Sequence, residues 1–109
     1  MNWKLKYLEE AAEDLGRIDK STRIQVINGI RKVLQNPLPA NEGGYGKPLS
    51  NKENSKLAGL CKIKFRSIGI RVVYKIIKSE NEMLILIVSA RADNEVYREA
   101  EKRKSRYDL

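Results

Sequence analysis

Basic side chains alternate with apolar ones in the segment KIKFRSIGIRVVYKI, which runs from Lys62 to Ile76. Successive side chains of a β-strand point to opposite faces, so the alternation predicts a hairpin with one basic and one apolar face. Its turn lies at Ser67-Ile68-Gly69, where Gly69 can supply a positive φ. When the apolar faces pair, the basic face collects Lys62, Lys64, Arg66, Arg71 and Lys75. Like charges at this spacing repel one another unless an anion offsets them, so the hairpin predicts an anion-binding surface or, alternatively, a solvated face that serves solubility.

The charge of the chain points to a polyanionic partner. Its 109 residues include 22 Lys and Arg against 14 Asp and Glu, which gives a formal net charge of +8. Seven basic residues and no acidic ones lie between Ser55 and Ser79, so the positive charge is concentrated. Nucleic acid is therefore the first partner class to consider. A chain of this length can bury one modest core, so we predict a single domain over residues 1–109.

The residue types that are scarce or missing exclude several kinds of site. The chain has no histidine, which removes imidazole acid–base catalysis, Ser-His-Asp triads and nearly every zinc site, and we expect neither a metal nor a cofactor. The one cysteine, Cys61, cannot form an intrachain disulfide and is typical of a reducing compartment. The longest apolar run, Met83 to Val88, is far too short to span a bilayer, and the N-terminus lacks a signal-peptide core. We therefore expect a soluble, cytoplasmic protein that does not act at a membrane.

The elements that must position the hairpin can be read from hydrophobic periodicity. Alternation predicts a first strand at Trp3–Tyr7. Helical spacing predicts a first helix with the apolar stripe Leu8, Ala11, Ala12, Leu15 and Ile18. A second helix begins after Asp19 or Ser21, carries Ile24, Ile27, Ile30 and Leu34, and ends before Pro37. Two surface roles are also expected: Asp14 and Glu95 are interpreted as caps or exposed charges.

The second half of the chain predicts a sheet followed by one helix. Residues 36–55 form a long surface loop with a short edge strand near Lys47–Leu49. The basic hairpin comes next, and then a central strand at Met83–Ser89 that is buried on both faces. A final helix starts near Asp93 or Asn94 and has a thin apolar stripe of Val96, Ala100 and Tyr107. The order β-α-α-β-β-β-α predicts an α+β domain with helices packed on a mostly antiparallel sheet.

At this point the sequence resembles the RelE/ParE toxins of bacterial toxin–antitoxin systems, and within them the RelE branch of mRNA interferases. The resemblance extends from about Trp3 to Arg103. It depends on the hairpin KIKFRSIGIRVVY, the GKPL loop before it and the segment SARADNEVYREA after the apolar strand. It implies a RelE-like fold, with an antiparallel sheet packed against an N-terminal helical hairpin and a C-terminal helix.

The resemblance also implies a set of site residues. RelE-type enzymes carry two lysines on the first hairpin strand, an arginine on the second, an arginine after the next strand and a tyrosine six residues later. The matching catalytic candidates in this chain are Lys62, Lys64, Arg71, Arg91 and Tyr97. Arg66, Lys75 and Lys47 are expected to contact RNA. ParE-like proteins generally lack the complete set, so its presence favours the nuclease interpretation.

Such a protein is expected to cut mRNA in the ribosomal A site without a metal ion. A lysine packed beside other cations loses some preference for the ammonium form, so Lys62 or Lys64 becomes available as a base for the ribose 2′-hydroxyl. The arginines would bind the phosphate, and Tyr97 would stack on a base or orient the nucleophile.

The resemblance implies partners as well as a reaction. Besides the ribosome and mRNA, an acidic RelB-like antitoxin is expected, and operator DNA would be bound only through the antitoxin complex. Two alternatives remain open from the sequence: a ParE-like toxin that poisons DNA gyrase without cutting RNA, and a module that only binds nucleic acid.

Overall fold

A computed structural model describes residues 2–49 and 57–109 of the chain. The described strands and helices follow the predicted order, with the short edge strand as one strand more than that order counts. They are β1 (Lys4–Tyr7), α1 (Glu9–Arg17), α2 (Lys20–Leu34), β2 (Lys47–Pro48), β3 (Leu60–Phe65), β4 (Ile70–Ile77), β5 (Glu82–Ser89) and α3 (Asp93–Arg106). Two short 3₁₀ turns, at Ala40–Glu42 and Lys78–Glu80, lie in the connections. The α+β class is confirmed, and residues 50–55 of the predicted loop lie outside the described residues.

The five strands form one sheet in the order β1-β5-β4-β3-β2. The β1–β5 pair is parallel and the other three pairs are antiparallel, so the sheet is mostly antiparallel, as expected. Strand β5 lies inside the sheet, and its residues 83–88 are all buried. This confirms the interpretation of the continuous apolar run, because a strand covered on both faces has no polar side.

Helix α2 covers the apolar face of the hairpin, while α1 packs against β5 and β1. Val26 and Ile30 of α2 are fully buried, and Gly29 lies directly against the ring of Phe65, so any larger residue there would meet that ring. Asp19, one of the two predicted caps, caps α2 by accepting a hydrogen bond from the Thr22 backbone N–H at 3.2 Å.

Two positions of the predicted N-terminal stripes are wrong. Ile24 is 50% exposed, and Ala12 is also exposed. Periodicity identifies the inward side of a helix, but it does not show how far the covering sheet extends along it.

The C-terminal helix covers the opposite face of the sheet. Val96 and Ala100 are fully buried, as predicted, but Tyr107 is 42% exposed. Arg103 takes the next inward position instead and is buried. The apolar stripe therefore ends in a charged residue, which needs a partner inside the protein.

That partner is Asp14 of α1, which the sequence interpretation wrongly assigned to the surface. The Arg103 Nη1 donates to Asp14 at 2.7 Å and to the Leu86 carbonyl at 2.8 Å, while the Val88 N–H donates to the Asp14 carboxylate at 3.1 Å. Strand β1 pairs only as far as Ile85, so this stretch of the β5 edge has no neighbouring strand among the residues that the structure describes. The ion pair supplies the hydrogen bonds that a longer β1 would have made.

The hairpin has the predicted turn and register. Gly69 has φ 66°, and Lys64 lies directly opposite Arg71. The short strand β2 extends the sheet beside β3 and pairs Lys47 with Lys62. Cys61 is buried. In the part of the chain that the structure describes, no helix is both long and apolar enough to cross a membrane.

Replacing Asp14 with alanine is expected to lower the free energy of unfolding by about 3 kcal/mol, because the Arg103 guanidinium and the Val88 N–H lose a buried acceptor. Urea unfolding at neutral pH measures the change. Glu13→Ala is the matched control, since it removes a carboxylate of the same helix that is 54% exposed, and we expect it to change stability by about 0.5 kcal/mol or less. Equal losses in the two variants would contradict this account of the ion pair.

Candidate active site

Three strands bring basic side chains to one face of the sheet. Lys64 of β3 lies opposite Arg71 of β4, and Lys62 lies opposite Lys47 of β2. Cross-strand pairs point to the same face, so these four residues share it; we call this surface the basic face. Arg66 is exposed and lines a surface pocket beside the turn together with Lys64 and Arg71.

The basic face is not fully exposed, contrary to the sequence interpretation. Helix α3 packs against β4 and β5 on this side through its buried stripe. The side chains of Lys64 and Arg71 are each only 27% exposed. Lys62 is half-buried, and its Nζ lies 5.8 Å from the centre of the Tyr97 ring. The resulting surface is a shallow site between the hairpin and the first turns of α3.

Asp93, the first residue of α3, bridges the two facing cations. Its Oδ2 accepts a hydrogen bond from Lys64 Nζ at 2.6 Å, and its Oδ1 accepts one from Arg71 Nε. The hydrogen bond from Lys64, together with that from Arg71, holds the pKa of Asp93 below its ordinary value of 3.8. The anion that the hairpin requires is therefore supplied by the chain itself.

Sequence reasoning named Asp93 only as a possible helix start and missed this contact. The signal that could have found it is the spacing of the final helix. Asp93 precedes Val96 by three residues and Ala100 by seven, which places all three on one side of a helix. The side that packs against the sheet therefore begins with a carboxylate.

Arg91 lies in the connection between β5 and α3 and is exposed. Its backbone N–H donates to Ser89 Oγ at 3.1 Å, and its carbonyl accepts a hydrogen bond from Arg71 Nη1 at 2.8 Å. These contacts fix the Arg91 backbone beside Arg71, while its guanidinium remains accessible to a ligand. The structure therefore brings together two of the site residues predicted from the sequence, Arg71 and Arg91.

Tyr97 lies half-buried between α3 and the hairpin. Its hydroxyl is buried and makes no hydrogen bond to any described residue. Burial raises the pKa of this hydroxyl, so the phenol is neutral at physiological pH. A buried hydroxyl without a partner is unfavourable, and a ligand that reached it would relieve that cost.

Lys75 lies on the basic face but at a distance from Lys64 and Arg71. It lies four residues beyond Arg71 on β4, roughly 13 Å along the strand, and it pairs with Leu60 and Leu84. Burial, and secondly the nearby Lys104, lower the pKa of Lys75. The structure does not bring it to the site around Lys64, so the expected RNA contact would have to be a separate one.

The arrangement can bind an anion that offers two oxygen acceptors. Lys64 and Arg71 approach from neighbouring strands and donate to both oxygens of one carboxylate, and a phosphodiester offers a comparable pair of acceptors. Across residues 2–49 and 57–109, no three His, Cys, Asp or Glu side chains group as they would around a metal ion.

The lowered pKa of Asp93 predicts a pH-dependent contribution to stability. A depressed pKa in the folded state means that the carboxylate stabilises the fold above its ordinary pKa and loses this effect as acid protonates it. Wild type should therefore be more stable than Asp93→Asn near neutral pH, and the difference should diminish in acid, as the pH falls below the ordinary pKa of 3.8. Urea unfolding at neutral and at acidic pH measures it. Glu95→Gln, in the same helical turn, is the control, and an Asp93→Asn difference that survived in acid would rule out the ion pair as its cause.

Comparison with known proteins agrees with the fold and with the resemblance in sequence. Residues 5–95 match the family model of the ParE toxin of type II toxin–antitoxin systems. The chain is 31% identical over 106 residues to the mRNA interferase toxin RelE of Escherichia coli K12, covering 94% of this chain and 98% of that protein.

Solved structures of the Escherichia coli toxin RelE are similar as well. A doubly substituted variant in the free state aligns with a TM-score of 0.71 and 29% identity, over 94% of this chain and 98% of that one. The same variant in complex with a peptide of the antitoxin RelB aligns with a TM-score of 0.69 and 26% identity, over 92% and 95% of the two chains. By sequence and by fold, this chain belongs to the ParE toxin family of type II toxin–antitoxin systems and to the RelE-like branch of the RelE/ParE superfamily.

Proposed function

We propose that this toxin is a ribosome-dependent endoribonuclease that cleaves mRNA in the A site and so inhibits translation. The observation that carries the proposal is the pair of donors on facing strands, Lys64 and Arg71, which hold a single carboxylate where a phosphate would fit. The similarity to a protein named mRNA interferase toxin RelE supports the same reaction.

Lys64 and Arg71 act on the scissile phosphate. Their hydrogen bonds to the non-bridging oxygens strengthen as negative charge builds up in the phosphorane transition state. The guanidinium of Arg91 is exposed beside Arg71 and adds a further donor to the same phosphate. Arg66 and Lys47, both exposed on the basic face, contact neighbouring phosphates and hold the strand in place.

Lys62 is the candidate for the general base. Lys64 Nζ already donates to the Asp93 carboxylate and is assigned above to the phosphate, so Lys62, whose described contact is the Tyr97 ring, remains for the proton transfer. In the proposed step the neutral Lys62 amine takes the 2′-hydroxyl proton, the 2′ oxygen forms a bond to phosphorus, and the bond to the 5′ oxygen breaks. The 5′ oxygen takes up a proton from water, and the products are a 2′,3′-cyclic phosphate and a 5′-hydroxyl. Tyr97 positions the nucleotide by stacking or by a hydrogen bond from its unpaired hydroxyl.

The proposed partners follow from the charge of this face. An acidic RelB-like antitoxin would cover it through charge complementarity, and the similar toxin RelE has been solved in complex with a peptide of the antitoxin RelB. Operator DNA would then be bound through the antitoxin rather than by the toxin alone. The ribosome and mRNA place the proposed site of action in the cytoplasm.

Primer extension on a translated mRNA tests the proposed reaction. Wild-type protein should cut inside codons when ribosomes are present and leave the same RNA almost uncut without them. Arg91→Ala and Arg71→Ala should each cut roughly 10²–10³-fold more slowly, the usual loss for one donor to a transition-state oxyanion. Arg31→Ala is the matched control, because Arg31 is exposed on α2, behind the opposite face of the sheet. Intact mRNA with wild-type protein and ribosomes would exclude the nuclease proposal.

Poisoning of DNA gyrase is the second candidate, and it is favoured by the match to the ParE toxin model. In that case α1 and α2 would carry the contact, mRNA would stay intact, and cells would show an SOS response. Gyrase supercoiling assays with purified toxin distinguish the two candidates. Inhibition that persists in Arg71→Ala would assign the activity to gyrase, whereas unchanged supercoiling at saturating toxin would exclude the gyrase candidate.

A further inference from the structure

We propose that Asp93 is an internal competitor for the phosphate position between Lys64 and Arg71, and that it sets how strongly the basic face binds a phosphodiester. This inference rests on the proposed function in one respect, since it takes RNA as the ligand. It adds a residue that no part of the proposed catalytic set contains.

The first argument is occupancy. Lys64 Nζ and Arg71 Nε both donate to the Asp93 carboxylate, so the two cations best placed for a phosphate are already engaged. A carboxylate and a phosphodiester each carry one negative charge over two equivalent oxygens. A phosphate that enters therefore exchanges one anion for another of equal charge, and gains no net ion pairing at this position.

The second argument is that Asp93 is free to leave. Its side chain is 39% exposed, and it does not serve as the helix cap, since the N-cap position is Ala92 and makes no side-chain cap hydrogen bond. After release, the carboxylate still lies in the first turn of α3, where the helix dipole favours negative charge. Displacement thus removes the contacts to Lys64 and Arg71 and leaves the helix intact.

Asp93 therefore favours RNA strands that are also held by contacts other than those to Lys64 and Arg71. A phosphate held only by Lys64 and Arg71 competes poorly with a carboxylate that is covalently attached beside them. A strand already fixed by other contacts presents its phosphate at a high effective concentration and displaces Asp93. On this account Asp93 lowers the affinity for free RNA and restricts binding to a substrate that something else holds in place.

Fluorescence anisotropy with a fully 2′-O-methylated RNA oligonucleotide tests the inference, because this RNA binds but cannot be cut by 2′-hydroxyl attack. Asp93→Asn should bind about two- to thirtyfold more tightly than wild type, the range expected when two partly exposed ion pairs stop competing. Its affinity should also fall more steeply with salt, since two more cations become available to phosphate.

Glu95→Gln is the matched control. It makes the same change in net charge in the same helical turn, and Glu95 is exposed and makes no described contact with Lys64 or Arg71. It should change the affinity less than twofold. An equal gain in Asp93→Asn and Glu95→Gln would reduce the effect to net charge and overturn the proposal, as would no gain in either.

A second pair of variants separates competition at Lys64 from a general effect of Asp93→Asn on folding. In a Lys64→Gln background the Asp93→Asn substitution should yield a smaller gain, because one of the two competing contacts is already absent; an undiminished gain would overturn the proposal. Circular dichroism at the assay temperature verifies that each variant is folded. Because the assay involves no cleavage, failure of the ribosomal reaction leaves this result intact, and failure of this result leaves the ribosomal reaction intact.

Discussion

The site depends on where α3 lies against the sheet, and a buried ion pair holds it there. Asp14 and Arg103 meet over the part of the β5 edge that β1 does not cover, and together they satisfy its backbone N–H and carbonyl groups. An ion pair taken out of water needs such additional hydrogen bonds to offset its desolvation. With α3 anchored in this way, its first turns reach the hairpin, and Asp93 and Tyr97 become part of the basic face.

The contacts that compensate the positive charge determine the structure of the basic face. The hairpin concentrates positive side chains on neighbouring strands, which is unfavourable in isolation. The fold resolves the conflict locally with one carboxylate between Lys64 and Arg71 and with an aromatic ring beside Lys62. The same features define a place for a phosphate, because the groups that satisfy a carboxylate also satisfy a phosphodiester. The same hydrogen-bond donors therefore contribute to stability and to ligand binding.

Prediction from sequence succeeded where the determining interactions are local. The alternation around Lys62 and the glycine turn at Gly69 specify the hairpin and its register within a few residues. The cap at Asp19 specifies the start of α2 in the same way. Prediction failed at Asp14 and Tyr107, because their burial depends on elements that are distant along the chain.

By itself, the sequence determined the class of fold, the order of its elements and the identity of the basic residues that share a face. Those properties follow from periodicity and turn chemistry, which act over a few residues. Only the tertiary structure decided which charges meet: Arg103 is 89 residues from Asp14, and Lys64 is 29 residues from Asp93. No local pattern encodes such pairs, because the packing of the whole core determines how α3 approaches the sheet. That approach turns the open basic surface predicted from the sequence into a partly covered site that contains its own anion.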